Sequence, residues 1–302
     1  MWNKTIVKQL KETATPYPQL TPSSTIKNYL EHYDLPQNEG FSCGYKSYCD
    51  FDIFVQFYQG EKKEVIFLSH GYCDHGALFK HVLKELLSLG YSVAIWDYAG
   101  FGLSSGKSTA IDEFKTYGLI LQELIKDFVP DDNTYSLIGH SAGCMCIING
   151  LQVGLPKHLN KIIFMAPLIR ACRWFWIQFG CKTFGAFTPV VPRKFRPVSG
   201  DIEFLDFIKN NDPLEPHWLH VSWPKALLKW EKGLKDFNCD KSLLVLQGLS
   251  DDTVSATHNL PWFKDHFSNY KEHTYPIGRH HLHNEIPEIK IDCIQRIADF
   301  LK

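Results

Sequence analysis

The stretch Tyr135-Ser136-Leu137-Ile138-Gly139-His140-Ser141-Ala142-Gly143 decides the reading of this chain. A short apolar run ends in Gly-His-Ser-Ala-Gly, and a second apolar run, Met145 to Ile148, follows it. That order reads as strand, sharp turn and helix, with Ser141 at the apex. Gly139 and Gly143 stand two residues to either side, where so tight a turn brings strand and helix backbones too close for side chains. Gly-x-Ser-x-Gly between a strand and a helix is a nucleophile elbow, which holds a serine hydroxyl at the end of a sheet.

Outward from the elbow, the chain alternates strands and helices. Upstream, residues 41–58 are rich in strand formers, and Val65-Ile66-Phe67-Leu68 is a continuous apolar run of the kind that a strand buried on both faces requires. Leu78, Val82, Leu86 and Leu89 fall on one helical face, which Gly90 ends. Ser92 to Trp96 reads as a strand and about 111–128 as a helix stopped by Pro130. Downstream, Lys161 to Met165 is a further strand, closed by Pro167, and Ser242 to Gly248 resumes the pattern. A helix near 260–267, a short strand near 272–275 and a helix over 287–301 complete it. Apolar strands alternating with helices predict an α/β fold, a mostly parallel central sheet with helices on both faces. Residues 1–40 form an N-terminal extension with one short helix near 25–33 and no evident chemistry. The core comprises 41–166 and 236–302. Between them, 167–235 carries no buried strand and reads as an inserted helical lid, rich in Trp, Phe, Arg and Pro.

Composition narrows the possible partners. With 32 basic against 33 acidic residues, no electrostatic case for nucleic acid exists. The 9 cysteines include no Cys-x-x-Cys pair, and Met1-Trp2-Asn3-Lys4 opens no apolar leader. Free thiols in a reducing, cytoplasmic setting are the simplest account. No apolar run approaches a membrane span.

A serine hydroxyl is a weak nucleophile that needs a base in reach, and the base needs an orienting acid. On a parallel sheet such groups collect beyond the C-terminal ends of the strands. The loop after Gly248 offers Asp251 and Asp252, and the loop after the last strand offers His280, His281 and His283. The order Ser, Asp, His is the one associated with this elbow. Two adjacent carboxylates and three clustered histidines leave the choice open at this level. Three histidines also suggest a metal site, but no matching carboxylate or Cys set is evident and one of them is needed by the serine, so no metal is expected. His281 and His283 read as an exposed turn, His140 as structural, and Cys144 and Cys146 as small core residues.

At these residues the chain resembles the α/β-hydrolase superfamily, and within it the branch of lysophospholipases, monoacylglycerol lipases and serine-aminopeptidase-like hydrolases. The matching pieces are His70-Gly71, Asp97 with Gly100-x-Gly102-x-Ser104, Gly139 to Gly143, Gln247-Gly248-x-x-Asp251-x-x-Val254 and His280-x-x-x-Asn284-Glu285. Asp212-Pro213-Leu214, with Trp223 and Trp230, is similar to the end of the lid region. Ala99 departs from the pattern, where an arginine is frequent. The resemblance implies an α/β-hydrolase fold with Ser141 as nucleophile, His280 as base and then acid, and Asp251, rather than Asp252, as the orienting carboxylate. It implies an oxyanion hole of the Tyr72 and Ala142 backbone N–H groups. No cofactor is implied.

The expected activity is hydrolysis of a carboxylic ester through an acyl-enzyme, with a single-chain lipid, a lysophospholipid or monoacylglycerol, as substrate. A short-chain carboxylesterase, an aminopeptidase-like hydrolase and a non-catalytic ligand-binding protein on the same fold are the alternatives. The lid aromatics suit an acyl groove or peripheral membrane contact, and Arg170, Arg173, Lys182, Arg193, Lys194 and Arg196 suit anionic head groups.

Overall fold

The computed structural model describes residues 2–183 and 188–302. Two helices come first, α1 (Lys4–Thr13) and α2 (Ser24–His32). The second is capped by Ser23, whose hydroxyl accepts the Ile26 N–H at 3.2 Å. β1 (Phe41–Tyr48) and β2 (Phe51–Tyr58) form an antiparallel hairpin. Its two-residue loop puts Cys49 and Asp50 at φ 50° and 65°, the left-handed pair that matches strand twist. Then follow β3 (Glu64–Ser69), α3 (Lys80–Ser88), β4 (Ser92–Trp96), α4 (Lys115–Phe128), β5 (Thr134–His140), α5 (Ala142–Val153) and β6 (Leu159–Met165).

After β6 the chain leaves the sheet. This excursion holds α6 (Trp174–Thr183), β7 (Val190–Pro192), α7 (Ile202–Asp206), β8 (Trp218–His220) and α8 (Ser222–Lys232). Beside the helices of the expected helical lid, β7 and β8 pair antiparallel as a small ribbon with no buried residue. Segments of three residues carry too little periodicity to read from sequence. The aromatics Phe184 and Phe187 of this stretch lie outside the described residues. The chain returns through β9 (Cys239–Gly248), α9 (Ala256–His266), β10 (Phe267–Tyr275) and α10 (Pro287–Leu301).

The eight long strands lie in the order β1-β2-β4-β3-β5-β6-β9-β10. All pairings from β4 to β10 are parallel, and only β2 runs against its neighbours. Side chains alternate between two buried layers. Val65 and Phe67 of β3, and Leu243 and Val245 of β9, join α4, α5, α8 and α9 on one face. Ile66 and Leu68, with Leu244 and Leu246, join α1, α2, α3 and α10 on the other. Both faces are therefore covered, which is why these strands read as unbroken apolar runs. The N-terminal helices belong to this second layer through Leu10, Ile26, Tyr29 and Leu30, so the extension is part of the core packing.

Candidate active site

The elbow is built by close backbone contact. Ser141 sits at φ 53°, ψ −112°, between the end of β5 and the start of α5. A Cβ at Gly139 would lie 2.7 Å from the Cys144 nitrogen, and one at Gly143 would lie 1.9 Å from the Ser69 carbonyl oxygen. No side chain fits there. The same contact seats the loop after β3 against the first turn of α5. The loop that carries Tyr72 thus lies, at Ser69 and His70, against the helix that Ala142 opens. The Ala142 N–H opens a helix, so the helix itself offers it no carbonyl. The Tyr72 ring is fixed by stacking on Trp223 of α8 at 3.9 Å between centroids. The Ser141 main chain is pinned too, its N–H donating to the Met165 carbonyl at 2.9 Å.

The loops after β9 and β10 meet. Asp251 Oδ2 accepts a hydrogen bond from His280 Nδ1 at 2.7 Å and from Gln247 Nε2 at 3.3 Å. Its other oxygen accepts the N–H groups of Thr253 at 2.7 Å and Val254 at 3.1 Å. Burial would raise the carboxyl pKa, but His280 and these donors outweigh it and hold Asp251 ionised. Burial would likewise depress His280, and the charge of Asp251 overcomes it, leaving the imidazole pKa above its ordinary value. Because Nδ1–H donates to the carboxylate, the neutral ring presents a lone pair at Nε2. Asp252 is exposed, and its main-chain carbonyl accepts from Arg196 at 3.3 Å. The structure thus joins Asp251 and His280 and leaves Asp252 out.

Two expectations fail here. His281 and His283 are buried, at 4% and 1% exposure, not displayed on a turn. His283 stacks on Phe79 at 4.9 Å, and His281 Nε2 donates to Asp74 Oδ1 at 3.2 Å. Asp74, which sequence reading passed over, is the hub. Its Oδ2 also receives His140 Nδ1 at 3.1 Å. The second failure is Arg193. It is an ion-pair partner of Glu215 and bonds the Pro216 carbonyl at 3.3 Å, so it does not reach outward to head groups. Arg170 is similarly held by Glu231. Arg173, Lys182, Lys194 and Arg196 remain exposed.

A second missed cluster ties three segments together. Asp212, in the excursion, accepts from His75 Nε2 at 2.8 Å and from the Tyr33 hydroxyl at 2.6 Å. Both the carboxylate and the imidazole are fully enclosed, with side-chain exposures of 0% and 1%. His75 follows the Tyr72 loop, and Tyr33 follows α2. The sequence marked Asp212 through the Asp212-Pro213-Leu214 match, but nothing in it paired that carboxylate with His75 or Tyr33. Asp97 holds the neighbouring turn by accepting the Gly76 and Leu103 N–H groups, each at 2.7 Å. The glycines of that turn serve geometry, Gly100 and Gly102 standing at φ 84° and 48°.

On one side of the site α6 turns Phe175, Trp176 and Phe179 to solvent, 66%, 66% and 47% exposed. Trp218 of β8 is exposed as well. Among the described residues no helix is long and apolar enough to cross a membrane.

Comparison with known proteins agrees with this fold. Residues 60–287 match the model of the Hydrolase_4 family, described as serine aminopeptidase, S33. The monoglyceride lipase homolog of Monkeypox virus is 26% identical over 251 residues, 79% of this chain and 89% of that protein. Human monoglyceride lipase is 24% identical over 293 residues, 90% of each. Among solved structures, a soluble variant of Saccharomyces cerevisiae monoglyceride lipase superposes with a TM-score of 0.74 at 16% identity, covering 88% of this chain and 97% of that one. The monoacylglycerol lipase of Paleococcus ferrophilus gives 0.73 at 17% identity, covering 82% and 98%. At such identities the superpositions speak for the fold.

Proposed function

Since the chain belongs to the Hydrolase_4 (serine aminopeptidase, S33) family and has its α/β-hydrolase fold, we propose that it is a serine hydrolase cleaving the ester of a single-chain lipid, a monoacylglycerol or lysophospholipid. The observation that carries the reading is the 2.7 Å bond between His280 and a buried, ionised Asp251 in the loops beside the Ser141 elbow.

The reaction follows from that bond. His280 Nε2, whose lone pair is fixed by the Nδ1–H to Asp251, takes the Ser141 proton as the hydroxyl oxygen attacks the ester carbonyl carbon. The carbonyl oxygen becomes an oxyanion, met by the Tyr72 and Ala142 N–H groups. The tetrahedral species collapses, the C–O bond to the alcohol breaks, and the imidazolium returns its proton to the leaving oxygen. Water then attacks the acyl-enzyme by the same path, releasing the fatty acid and restoring Ser141. Asp251 stays ionised throughout and stabilises the imidazolium.

The lipid assignment is supported by the excursion between β6 and β9, which acts as a lid. Phe175, Trp176 and Phe179, at i, i+1 and i+4 of α6, form one apolar face, and Arg173 and Lys182 flank it. An apolar face rimmed by cations suits a peripheral lipid surface. The relatives named as monoglyceride lipases support the same substrate class.

The test is a screen of monoacylglycerol, lysophosphatidylcholine, short-chain p-nitrophenyl esters and aminoacyl amides, with Ser141→Ala as control and a fluorophosphonate probe for the serine. We expect cleavage of the lipid esters and labelling at Ser141, both lost in the variant. Labelling with turnover only of short esters or amides would move the assignment to a carboxylesterase or an aminopeptidase. A folded protein that neither labels nor turns over would be a ligand-binding member of the fold.

A further inference from the structure

Beneath the site lie a second carboxylate and three further histidines that the reaction above does not use. His140 connects them to the catalytic base. Its Nδ1 is 3.1 Å from Asp74 Oδ2, and its Nε2 is 3.1 Å from the main-chain oxygen of His280. A carboxylate oxygen and a carbonyl oxygen are both acceptors. Either neutral tautomer of His140 would therefore place a bare nitrogen lone pair against an oxygen. Only a ring carrying protons on both nitrogens satisfies both contacts.

We propose that His140 is an imidazolium in the working enzyme, paired with Asp74, and that it is a positioning residue which holds the His280 main chain in register with Ser141. This rests on the reading of His280 as the base.

The surroundings bear on the charge from two loops and from the excursion, where Arg193 and Glu215 feel the charge of Asp74, as His75 does beside it. From the loop after β3 comes Asp74, which is held well below the usual carboxylate range against its burial by His281 and His140. From the loop after β10 come His280, His281 and His283, with ring centroids 4.8, 4.3 and 4.9 Å from that of His140. Burial and the His281 and His280 rings press the His140 pKa downward, to about 4, while Asp74 raises it. The hydrogen bonds remove part of that opposition. His281 Nδ1 lies 3.4 Å from Asn284 Nδ2, which is a donor because it also reaches the Leu78 carbonyl at 3.0 Å. In that arrangement His281 Nδ1 faces a donor and its Nε2–H goes to Asp74. Burial keeps His283 far below its ordinary pKa, and it is neutral. Asp74 also feels His75, Arg193 and His280 at longer range, but among these His140 is the ring that bonds the carboxylate while facing a second acceptor. Without that proton the buried carboxylate would lose the cation directly bonded to it.

The ligand nitrogens of His140, His281 and His283 lie within 4.8 Å of one another, so a divalent ion is the rival for the same position. The experiment separates the two. In protein purified with and without chelator, nitrogen NMR of the histidine rings is recorded at pH 7, His140 being assigned by its loss in His140→Gln. We expect both His140 nitrogens protonated, unchanged by chelator, and no stoichiometric metal on elemental analysis. One bare nitrogen, or a bound ion contacting the cluster, overturns the proposal.

The kinetic arm uses the folded His140→Gln enzyme. Removing the cation bonded to Asp74 lets more of the carboxylate's charge act on His280, so the acid limb of kcat/KM should move upward by about one pH unit. The misplaced base should lower kcat by about 10- to 100-fold with KM nearly unchanged. A ring that was neutral, or merely space-filling, would leave the limb in place, and that result also refutes the proposal. The NMR reading needs no turnover, so it stands apart from failure of Ser141 to label.

Discussion

Replacing Asp212 with asparagine offers a quantitative test of how the Tyr72 loop is held. The carboxylate is enclosed and binds His75 at 2.8 Å, the Tyr33 hydroxyl at 2.6 Å and the Leu214 N–H at 2.9 Å. Burial would lower the His75 pKa, but Asp212 raises it from 6.5 to about 9. A rise of that size corresponds to about 3 kcal/mol of stability, in the range found on breaking buried ion pairs. The folded-state pKa lies above the unfolded one. The contribution is therefore fully present below pH 6.5 and is lost as pH rises through about 9. Asp212 itself is held below its ordinary pKa of 3.8, which sets the acid boundary of the window. The Asp212→Asn side chain keeps the volume and can still accept from Tyr33 or Leu214. Urea unfolding should show a loss of about 3 kcal/mol at pH 6, shrinking to about 1 kcal/mol at pH 10, where only neutral hydrogen bonds are forfeited. An equal loss at both pH values would refute the charged pairing, and no loss at pH 6 would refute the cluster.

Two further outcomes follow from the site. His280 has its pKa raised by Asp251 against burial, and it must be neutral to act as base. Consequently kcat/KM for a soluble short-chain ester should fall on the acid side with a midpoint above pH 6.5, and a midpoint near 6 or below would contradict the Asp251 coupling. On the lid, the triple substitution Phe175→Ser, Trp176→Ser, Phe179→Ser removes side chains that are about half to two-thirds exposed. Sedimentation with anionic vesicles should show binding weakened about 10-fold or more, with turnover of a soluble ester unchanged. Unchanged vesicle binding would remove α6 from the proposed lipid surface.

How much of this was visible in the sequence depended on the range of the interaction. The elbow is local. Gly139, Ser141 and Gly143 signal it because the steric demand acts within five residues, and the apolar runs of β3, β5 and β9 signal a sheet covered on both faces. Asp251 and His280 were legible through their place at strand ends and through family pattern. What escaped is what tertiary contact decides. His281 and His283 are polar residues after a strand, a pattern that ordinarily means an exposed turn, and what seats them is distant in sequence, Asp74, 207 positions from His281, and the Phe79 ring stacked on His283. Arg193 looked like surface charge because Glu215 meets it across the excursion, 22 residues on. Tyr33 sits in a polar, proline-bearing stretch whose role comes from Asp212. α1 buries Leu10 alone among its residues, too narrow an apolar stripe to announce a helix.

The bond between Tyr33 and Asp212 spans 179 positions of the chain. During synthesis the N-terminal segment leaves the ribosome first, and its carboxylate partner follows by roughly 9 to 36 seconds at ordinary elongation rates. Over that interval Tyr33 lacks Asp212, as does His75 over the last 137 positions, and Ile26, Tyr29 and Leu30 await strands that are still being made. Contacts so distant along the chain are slow to close. Nascent chains halted before Asp212 should therefore be caught by chaperones, or aggregate, more readily than chains released a few residues after it.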